Sequence, residues 1–456
     1  MSERAASVIT RFAPSPTGKL HIGNLRAALL SWAVARGAAD GVFILRIDDT
    51  DAERSKEAFV DAAKRDLEWL GLHWDRFERQ SERFERYEAA AAKWREMGRL
   101  YPAYETPTEL DLKRKRQLSM GKPPVYDRSA LALTDAQKAA YEAEGRRPHW
   151  RFKLDPERVA WDDVIRGETS VDCGSVSDPV LIREDGGWLY TPCSVVDDLE
   201  MGITHVVRGE DHVTNTATQI QMIRSLGGEP PVFAHHSLLV GAEGEALSKR
   251  LGSLSLESFR EAGLEPLTLL SYMARIGTSD PVEPRIAHAA VAEGFALERF
   301  GRAPARFDAR EVEALNAKVL AETPYAQVAD RLEALCAAGG EPFDAAFDAA
   351  WREAFWLALR GNIARFEDLA PWVEIAREGA APLVSEEDAA FVTEALALLP
   401  AAPWDGDSWG AWTGAVKTAS GRKGKALFMP LRKALTGRER GPEMAEIMPL
   451  LRPPRR

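Results

Sequence analysis

The sequence is poor in the features that would tie it to a membrane or to an oxidising compartment. It holds three cysteines, Cys173, Cys193 and Cys336. Their odd number and wide spacing supply neither a disulfide framework nor a cysteine-based zinc site. No stretch approaches the roughly 18 consecutive apolar residues of a membrane span. The opening residues, Met1-Ser2-Glu3-Arg4, lack the apolar core of a secretory signal. Reduced thiols, a cytoplasmic location and no membrane partner are therefore expected. Internal repeats and low-complexity tracts are missing as well. So is any excess of positive charge: 59 Lys and Arg stand against 70 Asp and Glu, a net charge of −11. That balance argues against DNA as a partner, but local basic patches can still serve RNA.

What is present is enough material for several cores. The chain has 456 residues, 45% hydrophobic and 28% charged, so more than one domain is expected at about 100–200 residues each. The β-branched run Val8-Ile9-Thr10 reads as a buried strand. It leads into Arg11-Phe12-Ala13-Pro14-Ser15-Pro16-Thr17-Gly18-Lys19-Leu20-His21-Ile22-Gly23-Asn24, where the prolines and Gly18 forbid regular structure. An amphipathic helix follows, with Leu25, Leu29, Trp32 and Ala35 on one face and Gly37 as its stop. A helix start of this kind attracts anions, because its N–H groups are unpaired and its dipole end is positive. Gly23 leaves space for close approach to the backbone. The pattern predicts a mononucleotide site.

Val42–Ile47 reads as a second strand, ending in Asp48-Asp49-Thr50-Asp51, and a helix follows from Ser55 to Leu70 with Gly71 as its stop. Strand–helix–strand–helix is the pattern of a parallel sheet. Ligands bind beyond the carboxyl ends of such strands, where Arg11 and Asp48 both fall. The acidic tetrad also reads as a helix-capping turn. A helix is expected from Ser81 to Met97. Residues 101–187 differ in character, with several prolines, the basic run Lys113-Arg114-Lys115-Arg116, strand-like pieces near 150–154 and 179–184, and a hairpin turn at Asp185-Gly186-Gly187. They read as an inserted domain, and the basic run as a solvated helix face. The parallel sheet is expected to resume near Tyr190, with a strand at Val206-Val207 ending in Arg208-Gly209-Glu210-Asp211-His212, then a helix to Leu226. Phe233 to Val240 reads as one further strand. Its adjacent His235 and His236 point to opposite faces, which makes them a poor metal pair and favours structural roles. A glycine-flanked loop then carries Ala246-Leu247-Ser248-Lys249-Arg250, suited to clamping phosphate. Beyond it the pattern is helical, with helices at 255–262 and 266–276. Residues 415–440 form a basic island of eight Lys and Arg against one Glu, with Phe428 among the cations, suited to a phosphate backbone or to plain solvation.

Taken together these motifs resemble class I aminoacyl-tRNA synthetases, and within them the bacterial glutamyl-tRNA synthetase family. The proline-rich loop ending in His21-Ile22-Gly23-Asn24 is similar to the family's first signature. Ala246-Leu247-Ser248-Lys249-Arg250 is similar to the second. The wording Arg11-Phe12-Ala13-Pro14-Ser15-Pro16-Thr17-Gly18 resembles the glutamyl rather than the glutaminyl type. Arg46-Ile47-Asp48-Asp49-Thr50-Asp51, Val196-Asp197-Asp198 with Gly202-Ile203-Thr204, Val207-Arg208-Gly209-Glu210-Asp211, and Met429 to Gly437 extend the likeness over nearly the whole chain.

The resemblance implies an α/β fold. A Rossmann-type catalytic domain is expected in two halves, 1–100 and 188–230, around an acceptor-end-binding α+β insertion at 101–187. A stem-contact domain at 231–320 would carry the Ser-Lys-Arg loop, and an all-α anticodon-binding region would close the chain at 321–456. The implied enzyme is a glutamate–tRNA ligase using ATP with Mg²⁺. His21 and Lys249 are the implied catalytic residues. Pro14, Gly18, His21, Gly23, Asn24, Ser248, Lys249 and Arg250 would bind ATP. Arg11, Ala13, Ser15, Asp48, Tyr190, Arg208 and His212 would bind glutamate, Arg11 taking the γ-carboxylate and Asp48 the α-ammonium. A core role is the alternative for Tyr190. Arg365, Lys423 and Arg432 would contact tRNA.

Three departures from the family pattern stand out. Asn24 replaces a histidine, Ala246 replaces a lysine, and Tyr101 to Thr106 lacks the cysteines with which some members bind zinc, so no zinc is expected. The expected partners are glutamate and tRNA(Glu), with tRNA(Gln) left open, acting on a monomer. A glutaminyl-type enzyme and a non-catalytic tRNA-binding relative are the rival readings.

Overall fold

The computed structural model describes residues 7–247, 254–338 and 347–455. The chain forms two compact units. The first comprises Met1–Phe259, Leu270–Val282 and Ala287–Asp308; the second comprises Arg260–Leu269, Glu283–Ile286 and Ala309–Arg456.

The first unit begins with strand β1 (Ile9–Phe12), helix α1 (Ile22–Arg36), strand β2 (Val42–Ile47), helix α2 (Glu57–Leu70) and strand β3 (Arg76–Arg79). β1, β2 and β3 pair in parallel. Helix α3 (Phe84–Glu96) and strand β4 (Leu100–Ala103) lead into a section containing helices α4 (Pro107–Ser119) and α5 (Asp135–Ala143) and strand β5 (His149–Phe152). Strands β6 (Arg158–Asp163), β7 (Gly167–Asp172) and β8 (Val180–Ile182) follow. β4, β5 and β8 make an antiparallel sheet. The Asp185-Gly186-Gly187 turn is present, closed by the Arg183 N–H on the Gly187 carbonyl at 2.9 Å.

Helix α6 (Tyr190–Glu200), strand β9 (His205–Gly209), helix α7 (Val213–Ser225) and strand β10 (Val232–His236) come next. β6, β10 and β9 run parallel, with β7 antiparallel on the outer edge of β6. β9 and β1 are tied by two bonds: the Thr204 N–H donates to the Ile9 carbonyl at 2.9 Å, and the Ile9 N–H donates to the Thr204 hydroxyl at 2.8 Å. The carboxyl ends of β1 and β9 are thus neighbours where the two halves of the sheet meet, the position at which parallel sheets open a ligand crevice.

Two expectations are corrected here. The parallel sheet does not resume at Tyr190: its next strand is β9, and the chain at Tyr190 enters helix α6. Its buried positions include Asp197 and Asp198 beside Val195 and Val196, so burial of carboxylates hides the amphipathic period. The run Phe233–Val240 is two strands: β10 ends at His236, and β11 (Leu239–Gly241) pairs instead with β12 (Ala305–Phe307). Between them the Leu238 N–H is taken by Glu210 Oε1 at 3.1 Å, which turns the chain out of the first sheet.

Every regular element of the second unit among its described residues is a helix, Ala309–Glu322 and Met444–Ile447 among them. Its core centres on Trp356, Trp412, Leu431, Leu435 and Ile447. Asn316 closes one corner: its Oδ1 accepts from the Glu265 N–H and the Thr268 hydroxyl, both at 2.8 Å, and its Nδ2 donates to the Ala364 carbonyl at 2.7 Å.

Candidate active site

Arg11 stands at the third position of β1 and Arg208 at the fourth of β9. Both are buried, so each guanidinium requires partners. Arg11 donates through Nε and Nη2 to the two carboxylate oxygens of Asp198, at 3.0 and 3.2 Å. Asp198 Oδ1 also takes Nη1 of Arg46 at 2.7 Å. Arg46, fully buried, forms a two-pronged pair with Asp48 at 2.7 and 3.2 Å and donates to the Ser194 hydroxyl at 3.1 Å. Asp197 lies 3.8 Å from Arg46 Nε and is held by Gln80, Arg83 and Tyr87 at 2.9, 2.7 and 2.9 Å. Three buried guanidiniums, Arg11, Arg46 and Arg208, therefore share a region with three buried carboxylates, Asp48, Asp197 and Asp198.

Environment separates these carboxylates. Burial works against ionisation of Asp198, but Arg11 and Arg46 hold it below the ordinary carboxylate value. Burial pushes Asp48 up to about 6, against the pull of Arg46. Asp48, Ser15 and Tyr190 line one cavity of about 160 Å³ together with Thr50, Gln80 and Arg183. The Asp48 N–H also donates to the Pro14 carbonyl at 3.1 Å, which fixes the proline-rich loop to the end of β2. Asp49 is occupied elsewhere, by Arg79 and Ser81. Asp51 closes a local turn with Arg54 but caps no helix: the N-cap of α2 is Lys56, with no side-chain cap bond, so the capping reading of the tetrad does not hold.

Tyr190 and His212 pack ring against ring at 5.7 Å, and Tyr190 lies beside Arg208. Burial, then Arg208, keeps the His212 imidazole below its ordinary value and so neutral at pH 7. Ala13 is half-buried on the way from Arg11 to this loop. Of the seven residues expected to bind glutamate, Ser15, Asp48 and Tyr190 share the cavity, while Arg208 and His212 adjoin Tyr190. Arg11 reaches them through Asp198 and its field on Asp48.

The residues expected at ATP form the entrance to α1. His21 is its N-cap: the Gly23 N–H donates to His21 Nδ1 at 3.1 Å, and the His21 N–H donates to Asn24 Oδ1 at 3.0 Å. Because Nδ1 accepts, the ring hydrogen sits on Nε2, where it can donate to a phosphate. Burial lowers the pKa of His21, so it does this as a neutral imidazole. A Cβ on Gly23 would come within 3.0 Å of the His21 ring; the glycine keeps the histidine in its capping pose. A Cβ on Gly18 would meet nothing within 4 Å. Ser248, Lys249 and Arg250 lie outside the described residues. The chain on the far side of them is anchored here: Ser255 bridges to His21, and the Leu256 N–H donates to the Leu20 carbonyl at 2.9 Å.

The residues expected at tRNA lie in the second unit and are separated along it. Arg365 is exposed and 4.0 Å from Glu313. Lys423 is exposed in the turn before Lys425–Thr436. Arg432 donates to the Pro442 carbonyl at 2.9 Å, which ties it to the local fold. Lys113 to Arg116 lie on α4, a helix with no buried residue.

Sequence reasoning quoted Arg46, Asp197 and Asp198 within motifs but gave them no part. The signal available was charge at positions where a buried strand and a buried helix should be apolar. His235 was read as structural only, and Asp163 was not singled out. His235 is fully buried, bonded to Asp163 and to Arg208.

Residues 7–314 match the family of class I tRNA synthetases for E and Q, catalytic domain, and residues 325–454 match an anticodon-binding domain. The chain is 61% identical to glutamate–tRNA ligase 1 of Ruegeria pomeroyi, over 97% of each chain. It belongs to the glutamate–tRNA ligases. Glutamate–tRNA ligase 1 of Roseobacter denitrificans is also 61% identical, over 97% of this chain and 98% of the relative. Among solved structures, a glutamate tRNA ligase from Elizabethkingia meningosepticum in complex with its amino acid superposes with a TM-score of 0.82 at 25% identity, over 97% of this chain and 96% of that one. The ligase family accounts for the architecture: a class I catalytic domain on a parallel sheet and a helical anticodon-binding domain.

Proposed function

We propose that the chain ligates glutamate to the 3′ end of tRNA(Glu) in two steps. The α-carboxylate of glutamate attacks the α-phosphorus of ATP, forming glutamyl-adenylate and releasing pyrophosphate. A ribose hydroxyl of the terminal tRNA nucleotide then takes the glutamyl group and releases AMP. The observation that carries this reading is the likeness to glutamate–tRNA ligases over 97% of the chain, together with two arginines at adjoining strand ends.

The first step needs no strong base, because the attacking carboxylate is already ionised at pH 7. It needs alignment of two anions and stabilisation of charge at phosphorus. In this reading Arg11 and Arg208 hold the carboxylates of glutamate, and forked guanidiniums suit that task. Asp48 takes the α-ammonium, with Ser15, Ala13, Tyr190 and His212 completing the pocket. ATP enters with Mg²⁺ as its counter-ion. It meets Pro14, Gly18, Gly23, Asn24 and the Nε2–H of His21, and the Ser248-Lys249-Arg250 loop supplies cations as the transition state forms. A pocket built of fixed charges rejects neutral glutamine, since an unmatched buried arginine is costly.

The stretch 101–187 would hold the acceptor end and 231–320 the stem, with 321–456, including Arg365, Lys423 and Arg432, on the anticodon side. No zinc is assigned to the insertion. A monomer acting in the cytoplasm fits this role; no helix among the described residues is long and apolar enough to cross a membrane.

ATP–pyrophosphate exchange with glutamate, run with and without tRNA, tests the assignment. Exchange dependent on glutamate supports it, and no exchange with any tRNA present refutes it. Charging of purified tRNA(Glu) and tRNA(Gln) in parallel then decides whether one tRNA or both are substrates.

A further inference from the structure

Arg208 is hydrogen-bonded to no carboxylate among the described residues, though the charge of Asp198 acts on it. Its Nε donates to Nε2 of His235 at 3.1 Å, and its Nη2 donates to the Thr216 hydroxyl at 2.8 Å. Its Nη1 is buried with no hydrogen-bond partner among the described residues. An arginine Nε always bears hydrogen, so His235 Nε2 must accept. The ring hydrogen of His235 therefore sits on Nδ1, which faces Asp163 Oδ2 at 2.5 Å. Asp163 is fixed in turn: its Oδ1 accepts from the N–H groups of Ile165, Arg166 and His235 at 3.1, 3.0 and 3.1 Å. His235 and Asp163 are both buried. Burial lowers the pKa of His235 despite Asp163, keeping the ring neutral. The His235 bond helps hold Asp163 ionised against its own burial.

We propose that Asp163 and His235 are positioning residues for substrate: Asp163 fixes the His235 tautomer, His235 fixes the Arg208 guanidinium, and the unpartnered Nη1 of Arg208 is left to receive a carboxylate of glutamate. The inference rests on the reading of Arg208 as a glutamate ligand. Its physical logic is that a carboxylate on Arg208 Nε would neutralise the charge the substrate needs, whereas a neutral acceptor orients the fork and leaves the charge intact. A carboxylate one residue further along the relay controls orientation without facing the substrate.

The Asp163→Asn variant is the sharp test. The asparagine Oδ1 can keep the three backbone N–H groups, so the turn is retained. Its Nδ2 now donates toward His235 Nδ1. The ring hydrogen must move to Nε2, and two donors then face each other at Arg208. The expected result is a rise in KM for glutamate of about tenfold or more, the loss typical of a hydrogen bond to a charged group, with KM for ATP changed by less than about twofold. His235→Leu should do the same. His235→Gln should recover most of the loss, because one amide can accept from Arg208 and donate to Asp163. In an Arg208→Ala background, His235→Leu should add nothing.

Two results overturn the relay while leaving the Arg208 reading standing. One is Arg208→Ala raising the glutamate KM while Asp163→Asn and His235→Leu do not. The other is additive effects in the double variant. An Arg208→Ala variant with unchanged glutamate KM overturns the Arg208 reading itself, and the relay with it. Should His235→Leu fail to fold, Asp163→Asn and His235→Gln decide the matter.

Discussion

Replacing Asp198 by asparagine should unfold more of the catalytic unit than any exposed substitution, and the size of the loss follows from the geometry. Asp198 takes two bonds from Arg11 and one from Arg46, at 3.0, 3.2 and 2.7 Å. The Arg46 side chain is fully buried and that of Arg11 is 4% exposed. Asparagine keeps the shape but removes the charge, and its Nδ2 faces a guanidinium donor. Two buried cations lose their shared counter-charge, the circumstance in which breaking a buried pair costs about 3–5 kcal/mol. Arg11→Met should cost less, because Asp198 keeps Arg46. Urea unfolding followed by tryptophan fluorescence, with wild type, Asp198→Asn and Arg11→Met in parallel, measures the difference. The pH dependence gives a second handle. The folded pKa of Asp198 lies below the unfolded value near 3.8. Its contribution is therefore fully present above that value and is lost as pH falls through the folded pKa. The gap between wild type and variant should be constant near pH 7 and shrink in acid. A loss under about 1 kcal/mol, as for exposed ion pairs, would refute the reasoning, as would Arg11→Met costing more than Asp198→Asn.

Two further outcomes follow from burial. With Asp48 pushed up to about 6, glutamate kcat/KM should fall as pH drops through 6, to about one tenth of its plateau at pH 5, because protonated Asp48 no longer attracts an ammonium. Because the folded pKa of Asp48 lies above its unfolded value of 3.8, protonation here adds stability as pH falls from about 6 to 3.8, so the loss of activity should appear without unfolding; a flat profile down to pH 5 contradicts the assignment. The three cysteines are buried, with Cys336 pushed up to about 11 and Cys173 and Cys193 also raised by burial. Native protein should leave them unreacted with a thiol reagent at pH 8, while denatured protein titrates all three; rapid native reaction would show an opening that exposes them.

The first βαβα section was legible because its signals are local. Five consecutive buried residues in β2, a polar loop with prolines and a glycine stop at Gly37 are each signals within a short stretch of chain. The nucleotide end of the site was legible for the same reason, since a helix N-cap and its box span only His21 to Asn24. The amino-acid end was legible only where a motif could be matched. Asp198 lies 187 residues from Arg11 and 152 from Arg46, and no periodicity links them. Asp163 and His235 are 72 apart, and each alone reads as an ordinary polar residue at a strand end.

The misread elements share one cause. A helix that buries Asp197 and Asp198 does not look amphipathic, and a β10 strand that buries two histidines does not look like the floor of a site. In both, the sequence spends polar residues inside the protein. That is costly unless each polar group is matched. The matching is complete around Asp198 and Asp197. At Arg208 it stops one nitrogen short among the described residues. An unsatisfied donor at the carboxyl end of β9, next to a strand whose own end carries Arg11, is where a carboxylate substrate would complete the count. Stability and recognition then draw on the same set of charges: Asp198 holds the fold by holding Arg11, and glutamate would supply from outside the acceptor that Arg208 lacks within.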